Sequence, residues 1–545
     1  MDEETYKAVV HYHEETKHHL HRSAKSLGYM DWENQPNPFR YFEGLNPVAL
    51  PLLKQDPEAG YMDLYMRTNN KLQPFGLKSL AAFLELSLGL SSWKAISGSK
   101  WSLRINPSSG NLHPTESHVI VPPMDHLASG IYHYNSFNHA LEPRAEVPRD
   151  LWDRIFHHFK AEGFLVALSS IFWRESWKYG ERAFRYCNHD VGHALACLSF
   201  SANLQGWRLT YLNGLSDEEI ETLLGFDKTQ WRELEQEEPE LMCFVCAGHQ
   251  KEVPRSLPHD IVSAFSELSF AGMPNALSQR GVNWKIIYET AEMTRKPKTP
   301  EKTYDYGHRA FLEGTPCSLS APEIIRQRRS GVAYNIKGSI GKEQFMAMLD
   351  KAIPRNNCAP FDVELIEPCV NLLVFLHNVR GVDQGLYFFF RTDKDADEIK
   401  GMTKSQFLWE KLETGFPLFL LKRGDFRREA ALFSCRQEIA GLSALSVGMV
   451  AGFKHTIEKE PYRYRHLHWE AGMIGQILYL EAEAHAARGT GIGCFFDDAV
   501  HDLLGLQDNT YQSLYHFTVG EPVEDTKLTT YPPYFHLDVP ESGST

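Results

Sequence analysis

The sequence has few of the features that mark membrane, nucleic-acid-binding or disulfide-bonded proteins. Its apolar runs, such as Leu372–Leu376, are far shorter than the ~20 residues needed to span a bilayer, and its polar N-terminus does not resemble a signal peptide. The net charge of −14 argues against nucleic acid as a partner. Nine widely spaced cysteines favour reduced thiols in a cytoplasm. We therefore expect a cytoplasmic protein with no nucleic-acid or membrane partner.

What the sequence does contain is a long segment that occurs twice. Residues 184–226 align without a gap with residues 464–506, at a constant offset of 280. The aligned pairs include Gly192 and Gly472, Arg185 and Arg465, and Asp217 and Asp497. A repeat of this length predicts two domains of ordinary size that form a pseudo-dimer within one polypeptide. A chain of 545 residues is also too long for one compact core.

The rest of the sequence divides around this repeat. We predict four units: an N-terminal arm (1–62), a first domain (63–251), a proline-rich connection (252–320) and a second domain (321–545). In the connection, WKIIYETAEM has a helical pattern. In the second domain we predict helices at 427–453 and 467–488, and an extended tail from Tyr531 onwards.

Three segments carry residues that a flavin mononucleotide (FMN) requires. Its phosphate needs fixed cations and hydroxyl or backbone donors, and its ring needs donors along one edge. RQRRS at 326–330 offers three guanidinium groups and a hydroxyl, PSSGNLHP at 107–114 is a rigid loop rich in donors, and GTGIGC at 489–494 offers exposed amides. Each segment also has an ordinary structural explanation, as a solvated helix face, a turn and a helix cap respectively.

In combination these segments resemble the nitroreductase-like flavoenzyme superfamily, and within it the SagB-type, or thiazoline-oxidase-like, dehydrogenases. The resemblance covers nearly the whole chain and rests on eight segments: YHEETKHH (12–19), DWENQPNPFRYF (31–42), RINPSSGNLHPTE (104–116), GIYHY (130–134), WKYGERAFRYCNHDVGHA (177–194), RQRRSGVAY (326–334), GIGCFF (491–496) and GEPVEDTK (520–527). It implies an α+β fold with two tandem nitroreductase-like α/β domains, each with a four- or five-stranded central sheet flanked by helices.

The resemblance also implies one composite FMN site, with contributions from both domains. The second domain is expected to supply Arg328, Arg329, Ser330, Gly491, Gly493 and Lys527, and the first to supply Pro107, Ser108, Ser109 and Asn111. The reciprocal site looks degenerate, because RTNNKLQPF (67–75) and RNNCAPFDV (355–363) stand where the arginines and the Pro-Ser loop are needed. Two departures put phosphate affinity in doubt: Val332 stands where the family often has a second basic residue, and Lys527 replaces a commoner arginine.

Lys178 and Tyr179 match a Lys-Tyr pair that the resemblance associates with proton transfer. A lysine buried near a flavin has a lowered pKa and can act as a base. The alternative is that the pair packs an interdomain helix. At the offset of 280 the pair aligns with Glu458 and Lys459, so it occurs only once.

We accordingly expect an FMN-dependent oxidoreductase that exchanges hydride between flavin N5 and a small-molecule or peptide substrate. One alternative is an NAD(P)H-dependent nitro or quinone reductase, and another is a non-catalytic flavin- or peptide-binding pseudo-enzyme. NAD(P)H or another electron partner completes the cycle, and the chain is a monomer or a further homodimer. No metal is expected, because the histidines at 11–21 lack zinc-protease spacing and Cys243 and Cys246 have no second pair.

Overall fold

The computed structural model describes residues 3–67, 71–250, 252–312 and 317–537. The arm and first domain contain, in chain order, α1 (Glu3–Glu15), β1 (Phe42–Glu43), β2 (Val48–Ala49), α2 (Leu77–Glu85), β3 (Leu90–Ile96), β4 (Ser99–Arg104), β5 (Thr115–Val121), β6 (Gly130–Asn135), β7 (Ala140–Glu146), α3 (Arg149–Phe159), β8 (Gly163–Ser170), α4 (Phe172–Tyr179), α5 (Ala183–Leu204), β9 (Trp207–Tyr211), α6 (Asp217–Leu224) and β10 (Glu238–Ala247).

The connection and second domain contain α7 (His259–Phe265), β11 (Met273–Pro274), α8 (Lys285–Met293), α9 (Ala321–Gln327), β12 (Ile340–Gly341), α10 (Lys342–Lys351), β13 (Val370–Leu376), β14 (Val379–Arg380), β15 (Gly385–Phe389), α11 (Ala396–Met402), β16 (Glu410–Lys411), β17 (Leu418–Arg423), α12 (Arg427–Phe433), α13 (Glu438–Leu442), β18 (Leu445–Gly452), α14 (Phe453–Ile457), α15 (Arg463–Ala484), β19 (Arg488–Ile492), α16 (Asp497–Leu504), β20 (Tyr511–Gly520) and β21 (Thr529–Tyr531). None of the helices in these described ranges is long and apolar enough to cross a membrane.

The large sheets of the two domains share the topology of six strands, and each has a further two-residue edge strand, β2 or β16, that comes from a different place in the chain order. The first has the order β2-β7-β6-β5-β8-β10-β9 and the second the order β16-β17-β15-β13-β18-β20-β19, and neighbouring strands within them are antiparallel. The predicted α+β fold with two tandem domains is confirmed. Each sheet has seven strands rather than the four or five that the resemblance implies, and in each sheet one of the seven is a two-residue edge strand.

The repeated segment forms the interface between the domains. At the offset of 280, α5 coincides with α15 and α6 with α16 over their full lengths, and α5 packs against α15. Gly192 meets the backbone of Trp469, and its counterpart Gly472 meets the backbone of His189, so a side chain at either glycine would clash with the other helix. Such reciprocal contacts are the property of a two-fold interface.

The aligned arginines and aspartates are reciprocal ion pairs across this interface. Arg185 Nη1 lies 2.7 Å from Asp497 Oδ1, and Arg465 Nη2 lies 2.5 Å from Asp217 Oδ2. All four side chains are buried. Asp497 also pairs with Arg182, and Arg465 also pairs with Glu240, so each ion pair is part of a buried network in which removal of one partner leaves charge that is only partly compensated. These residues occur in both copies because they fix the relative orientation of the two domains.

Two local predictions in the second domain are wrong. Residues 427–453 are not one helix but α12, α13 and β18. β18 is buried along its whole length between β13 and β20, and a strand buried on both faces lacks the apolar-polar alternation that separates strands from helices. The C-terminal segment is not extended throughout, because Phe535–Leu537 form a 3-10 helical turn. Just before this turn, β21 pairs with β3 of the first domain, and Tyr534 is buried. Residues 538–545 of the predicted tail lie outside the described residues.

The connection contains the predicted helix at WKIIYETAEM as α8. It also contains α7, which packs its buried residues Ile261, Val262 and Phe265 with an apolar cluster of the first domain. Residues 251 and 313–316 lie outside the described residues, and the four predicted unit boundaries stay predictions.

Candidate functional site

The Pro-Ser-Ser-Gly loop joins β4 to β5 in the first domain and contacts the Lys178–Tyr179 pair. Gly110 has φ +60°, and a Cβ there would lie 2.6 Å from Tyr179 Oη and 3.1 Å from Lys178 Nζ. Glycine is therefore required both by the backbone conformation and by the close approach. The loop and the end of α4 thus form one surface.

Hydrogen bonds hold this loop in place from behind. Ser109 donates through its backbone N and through its Oγ to Asp190 Oδ1, both at 3.1 Å. Ser108 Oγ accepts from the backbone N of His113 at 2.8 Å, and Asn111 Nδ2 donates to the carbonyl oxygen of Ser102 at 3.0 Å. Asp190 belongs to the buried interface helix α5, so the loop is anchored to the helix that packs between the two domains.

The Arg-Arg-Ser segment follows α9 and runs along β19 in the second domain. Ser330 forms a parallel bridge with Gly489, and Gly331 N donates to the Gly489 carbonyl at 3.0 Å. Both arginines reach across to the first domain. Arg328 Nη2 donates to the carbonyl oxygen of Arg104 at 3.0 Å, and Arg329 Nη2 donates to that of Ser91 at 3.0 Å.

Arg328 is buried and Arg329 is half-buried, and neither forms an ion pair with a carboxylate in the described part of the chain. Burial lowers the pKa of Arg328, and burial together with the charges of Arg328 and Arg488 lowers the pKa of Arg329 to about 9. Lys94 lies nearby, and its pKa is lowered by burial and by Arg329. Arg328 Nε is buried without a hydrogen-bond partner among the described residues. A group of cations that lower each other's pKa values, with an unused donor, suits a bound anion.

The glycines of β19 lie against tyrosines that belong to the same site. Gly491 N donates to Tyr479 Oη at 2.9 Å, and Ser330 Oγ lies 3.0 Å from the same hydroxyl. A side chain at Gly491 would clash with Tyr515 Oη, and one at Gly493 with the ring of Tyr186. The backbone of this strand is therefore left open to the adjacent cavity.

These segments surround a cavity of about 480 Å³, within the usual range of small-molecule sites. Its lining includes all but one of the predicted cofactor residues, from the two domains: Pro107, Ser108, Ser109, Asn111, Arg328, Arg329, Ser330, Gly491 and Gly493. Tyr179 lines it too, and Lys178 contacts the loop through its ammonium group. Val332, the sequence departure, lies on the lining and is 71% exposed.

Lys527 is the predicted cofactor residue that the structure does not bring to the cavity. Its side chain is exposed, and the cavity wall nearby is formed by Glu524, Asp525 and Leu528. The additional cations on the lining are instead Lys94, Arg104 and Arg488. Arg488, on β19, is 3.1 Å from Glu483 and 3.5 Å from Glu524.

Two buried carboxyl groups behind the loop were missed by sequence reasoning. Burial raises the pKa of Asp190 to about 7, against the hydrogen bonds from Ser108 and Ser109 that lower it. Burial and the charge of Asp190 raise the pKa of Glu175 well above its usual range, and both Glu175 oxygens are buried without a hydrogen-bond partner among the described residues. The only signal in the sequence is an acidic residue at a buried position of a helix, and a segment with such a residue resembles any other core helix.

The reciprocal position is closed. At the offset of 280, Asp190 and His193 correspond to Glu470 and Met473, which line a cavity of only about 10 Å³. Glu470 pairs with Arg391. Two more arginines at this reciprocal position are neutralised by residues in or next to the segment that replaces the Pro-Ser loop. Arg67 pairs with Asp362, and Arg208, which corresponds to Arg488, lies 3.0 Å from Glu364. Residues 68–70 of the predicted degenerate segment lie outside the described residues.

The histidines near the N-terminus do not form a metal site in the described ranges, where no group of three or more His, Cys, Asp or Glu side chains has metal-binding geometry. His18 Nδ1 accepts from the backbone N of Ala24 at 3.0 Å, and Glu15 pairs with Arg22 at 3.7 Å. Cys243 and Cys246 are buried on β10.

The fold can now be compared with known proteins. No protein-family model and no curated protein matches the sequence. Among solved structures, a protein described as a nitroreductase from Anabaena variabilis superposes over 95% of this chain and 99% of its own, with 22% identity and a TM-score of 0.65.

Two shorter matches have low TM-scores and do not bear on the fold. The Escherichia coli microcin synthetase McbBCD complex, with truncated pro-MccB17 bound, matches at 17% identity over 45% of this chain and 94% of its own, with a TM-score of 0.26. An FMN complex from Exiguobacterium sibiricum matches at 16% identity over 38% of this chain and 91% of its own, with a TM-score of 0.22. From the Anabaena protein, whose match spans both domains, we conclude that the chain has the nitroreductase fold.

Proposed function

We propose that this chain is an FMN-dependent oxidoreductase of the SagB type, with one flavin site per chain. The observation that carries the proposal is the asymmetry between the two pseudo-equivalent positions. One is a cavity of about 480 Å³ in which Arg328 and Arg329 form no ion pair among the described residues. The other has about 10 Å³ and arginines paired with Asp362 and Glu364.

The phosphate of FMN fits the Arg-Arg-Ser end of the cavity. Arg328 and Arg329 would supply charge-assisted hydrogen bonds and Ser330 a hydroxyl donor. Arg328 Nε is buried without a partner in the described part of the chain, so a donor is available there. Lys94 lies on the same lining and adds positive charge where Val332 and Lys527 do not. Arg488 also lies there, paired with Glu483 and Glu524.

The ring and ribityl chain of FMN fit the remainder of the cavity. Its walls are backbone at Gly491 and Gly493 and the loop of Pro107, Ser108, Ser109 and Asn111. When bound, FMN supplies hydride exchange at N5. The loop would hold the ring edge, and the glycines would let the backbone come close to it.

Lys178 and Tyr179 would move the proton that accompanies the hydride. Their polar atoms approach the loop at Gly110, next to the cavity. Burial and nearby carboxyl groups raise the pKa of Tyr179 well above its usual range, so its hydroxyl stays protonated and can donate a hydrogen bond. We propose a small-molecule or peptide substrate, NAD(P)H or another electron partner, and a cytoplasmic location.

Flavin content tests the proposal. The purified chain, reconstituted with excess FMN and desalted, should retain one FMN per chain; FAD should not compete at equal concentration. A ratio near two would contradict the asymmetry argument, and the absence of flavin would favour the pseudo-enzyme alternative. Anaerobic mixing of the loaded chain with NADH or NADPH then tests the nicotinamide partner. A flavin that does not bleach rules out the nicotinamide-dependent nitro or quinone reductase, whereas rapid bleaching identifies NAD(P)H as the electron donor and is compatible with both candidates.

A further inference from the structure

Two cysteines from separate segments of the second domain meet at the edge of the cavity. Cys435 follows α12 and Cys494 follows β19. Their segments are joined by a hydrogen bond from Phe496 N to the Phe433 carbonyl at 2.7 Å and by one from Gln437 Nε2 to the Cys494 carbonyl at 3.1 Å. These two bonds bring the turn that carries Cys435 against the turn that carries Cys494, and each thiol is the main influence on the pKa of the other.

The pair is accessible and belongs to the cavity wall. Cys494 and Gln437 line the cavity, and both cysteines are partly exposed. Cys435 and Arg436 have φ values of +53° and +60°, a conformation that side chains other than glycine adopt at a cost of order 1–3 kcal/mol each. This strained turn carries Cys435 to the Cys494 thiol.

The surroundings favour a thiolate at Cys494. The hydrogen bond from Cys435 lowers its pKa to about 5, with contributions from His18 and Arg182 that outweigh burial, and the pKa of Cys435 is correspondingly raised. Arg182 is fixed nearby, because its Nη2 donates to the carbonyl oxygen of Gly493 at 3.2 Å. By contrast, burial raises the pKa of Cys197 and of Cys369 to about 12.

We propose that Cys435 and Cys494 are a redox-active dithiol that closes to a disulfide and exchanges two electrons with the flavin bound in the adjacent cavity. The exchange rests on the proposed function, whereas disulfide formation does not. In the closing direction the Cys494 thiolate and the Cys435 thiol form an S–S bond and release two electrons and one proton. Oxidised flavin takes both electrons and the proton, which together are one hydride equivalent, so the step balances without another reactant.

Such a pair would give the chain a two-electron store beside its cofactor. Disulfides in reducing compartments are usually transient and catalytic rather than structural, and a low-pKa, accessible cysteine next to a second thiol is the arrangement of a reactive pair. Cys187, Cys197, Cys243 and Cys246 are buried, which suits structural thiols.

The first experiment uses the full chain without flavin. The protein is equilibrated anaerobically in glutathione buffers of increasing oxidised fraction, quenched with acid, alkylated and mapped by mass spectrometry. We expect a Cys435–Cys494 disulfide that forms and reverses with the buffer, and at about pH 6.5 we expect Cys494 to react with iodoacetamide faster than Cys317, which is also partly exposed. Absence of this disulfide at every ratio overturns the proposal.

The second experiment counts electrons in the FMN-loaded chain. Oxidised protein titrated anaerobically with dithionite should consume four electrons per chain, two for the disulfide and two for the flavin. Cys435→Ser, which leaves the cavity lining intact, should retain FMN and consume two, and Cys317→Ser should still consume four. Consumption of two electrons by the wild type, with its disulfide intact at full flavin reduction, overturns the exchange. A chain that forms the disulfide and binds no flavin overturns the proposed function and the exchange together, and leaves the dithiol established.

Discussion

Replacement of Arg328 and Arg329 by methionine tests the phosphate end of the cavity. Methionine keeps an unbranched side chain and removes the charge and the donors, so packing changes little. In the proposed complex each guanidinium makes at least one charge-assisted hydrogen bond to the phosphate, worth about 1.5–3 kcal/mol. Loss of both should weaken FMN binding by roughly 3–6 kcal/mol, which corresponds to about 10²–10⁴-fold in Kd.

The same substitutions should destabilise the flavin-free protein less than the lost hydrogen bonds alone would. Burial and neighbouring cations lower the pKa of Arg329 from 12.5 to about 9, which means that its charge costs the folded state roughly 5 kcal/mol. Removal of the charge relieves this cost and offsets part of the loss of four hydrogen bonds, to the carbonyl oxygens of Arg104, Ser91, Arg326 and Arg328, each worth about 1.5–3 kcal/mol. We expect a lowered melting temperature without FMN in a chain that still folds.

Two measurements separate binding from folding. Quenching of FMN fluorescence gives Kd, and calorimetry with and without FMN gives the ligand-induced rise in melting temperature, which depends on the logarithm of ligand concentration over Kd. Arg326→Met is the matched control, since Arg326 pairs with Asp56 and Glu85 outside the cavity; it should lower stability and leave Kd unchanged. A double variant that binds FMN within about threefold of the wild type would refute the assignment.

Two further substitutions address the first-domain side of the site. Lys178→Ala and Tyr179→Phe should retain flavin and slow anaerobic single-turnover oxidation or reduction of the bound flavin by about 10²–10⁴-fold; rates within threefold of the wild type would assign the pair to packing. Burial raises the pKa of Asp190 to about 7, so between about pH 4 and pH 7 the folded state keeps a proton that the unfolded state releases. The contribution of protonated Asp190 to the unfolding free energy is therefore full below about pH 4 and is lost as the pH rises towards 7. Chemical denaturation should therefore show a fall in unfolding free energy between about pH 5 and pH 8 that is smaller by roughly 2–3 kcal/mol in Asp190→Asn, and an unchanged fall would show that Asp190 is ionised throughout.

The parts of the fold that sequence predicted best are those where both copies face the same constraint. Gly192 and Gly472 must stay small because each meets the backbone of the opposite helix, and Arg185 and Arg465 must each pair with an aspartate of the other domain. A two-fold interface imposes every requirement twice, so the offset of 280 is visible in one sequence. The sequence did not predict β18 as a strand, because its fully buried residues fit a helix pattern as well as a strand pattern.

Only part of the candidate site could be predicted from the sequence, because the sequence shows backbone requirements but not where side chains end. Pro107 and Gly491 can be recognised in the sequence because proline and glycine meet requirements of the backbone. Whether an arginine or lysine belongs to the site depends on where its side chain ends, which the sequence does not show. Arg488 comes from β19 and lines the cavity, whereas Lys527, which matches the family motif, is exposed. Asp190 and Glu175 take their character from burial, which depends on the packing of α4 and α5 and not on neighbours in sequence.

The pairing of charges indicates what fusion of the two domains makes possible. In a homodimer, a carboxylate that closed one site would close both, because each subunit carries the same residue. In this chain Asp362 and Glu364 neutralise Arg67 and Arg208, while Arg328 and Arg329 form no ion pair among the described residues. The interface ion pairs are retained in both halves, so the pseudo-two-fold arrangement persists. One position is thus closed without loss of the other, and the proposed flavin site can differ from its counterpart in charge, volume and the presence of Lys178 and Tyr179.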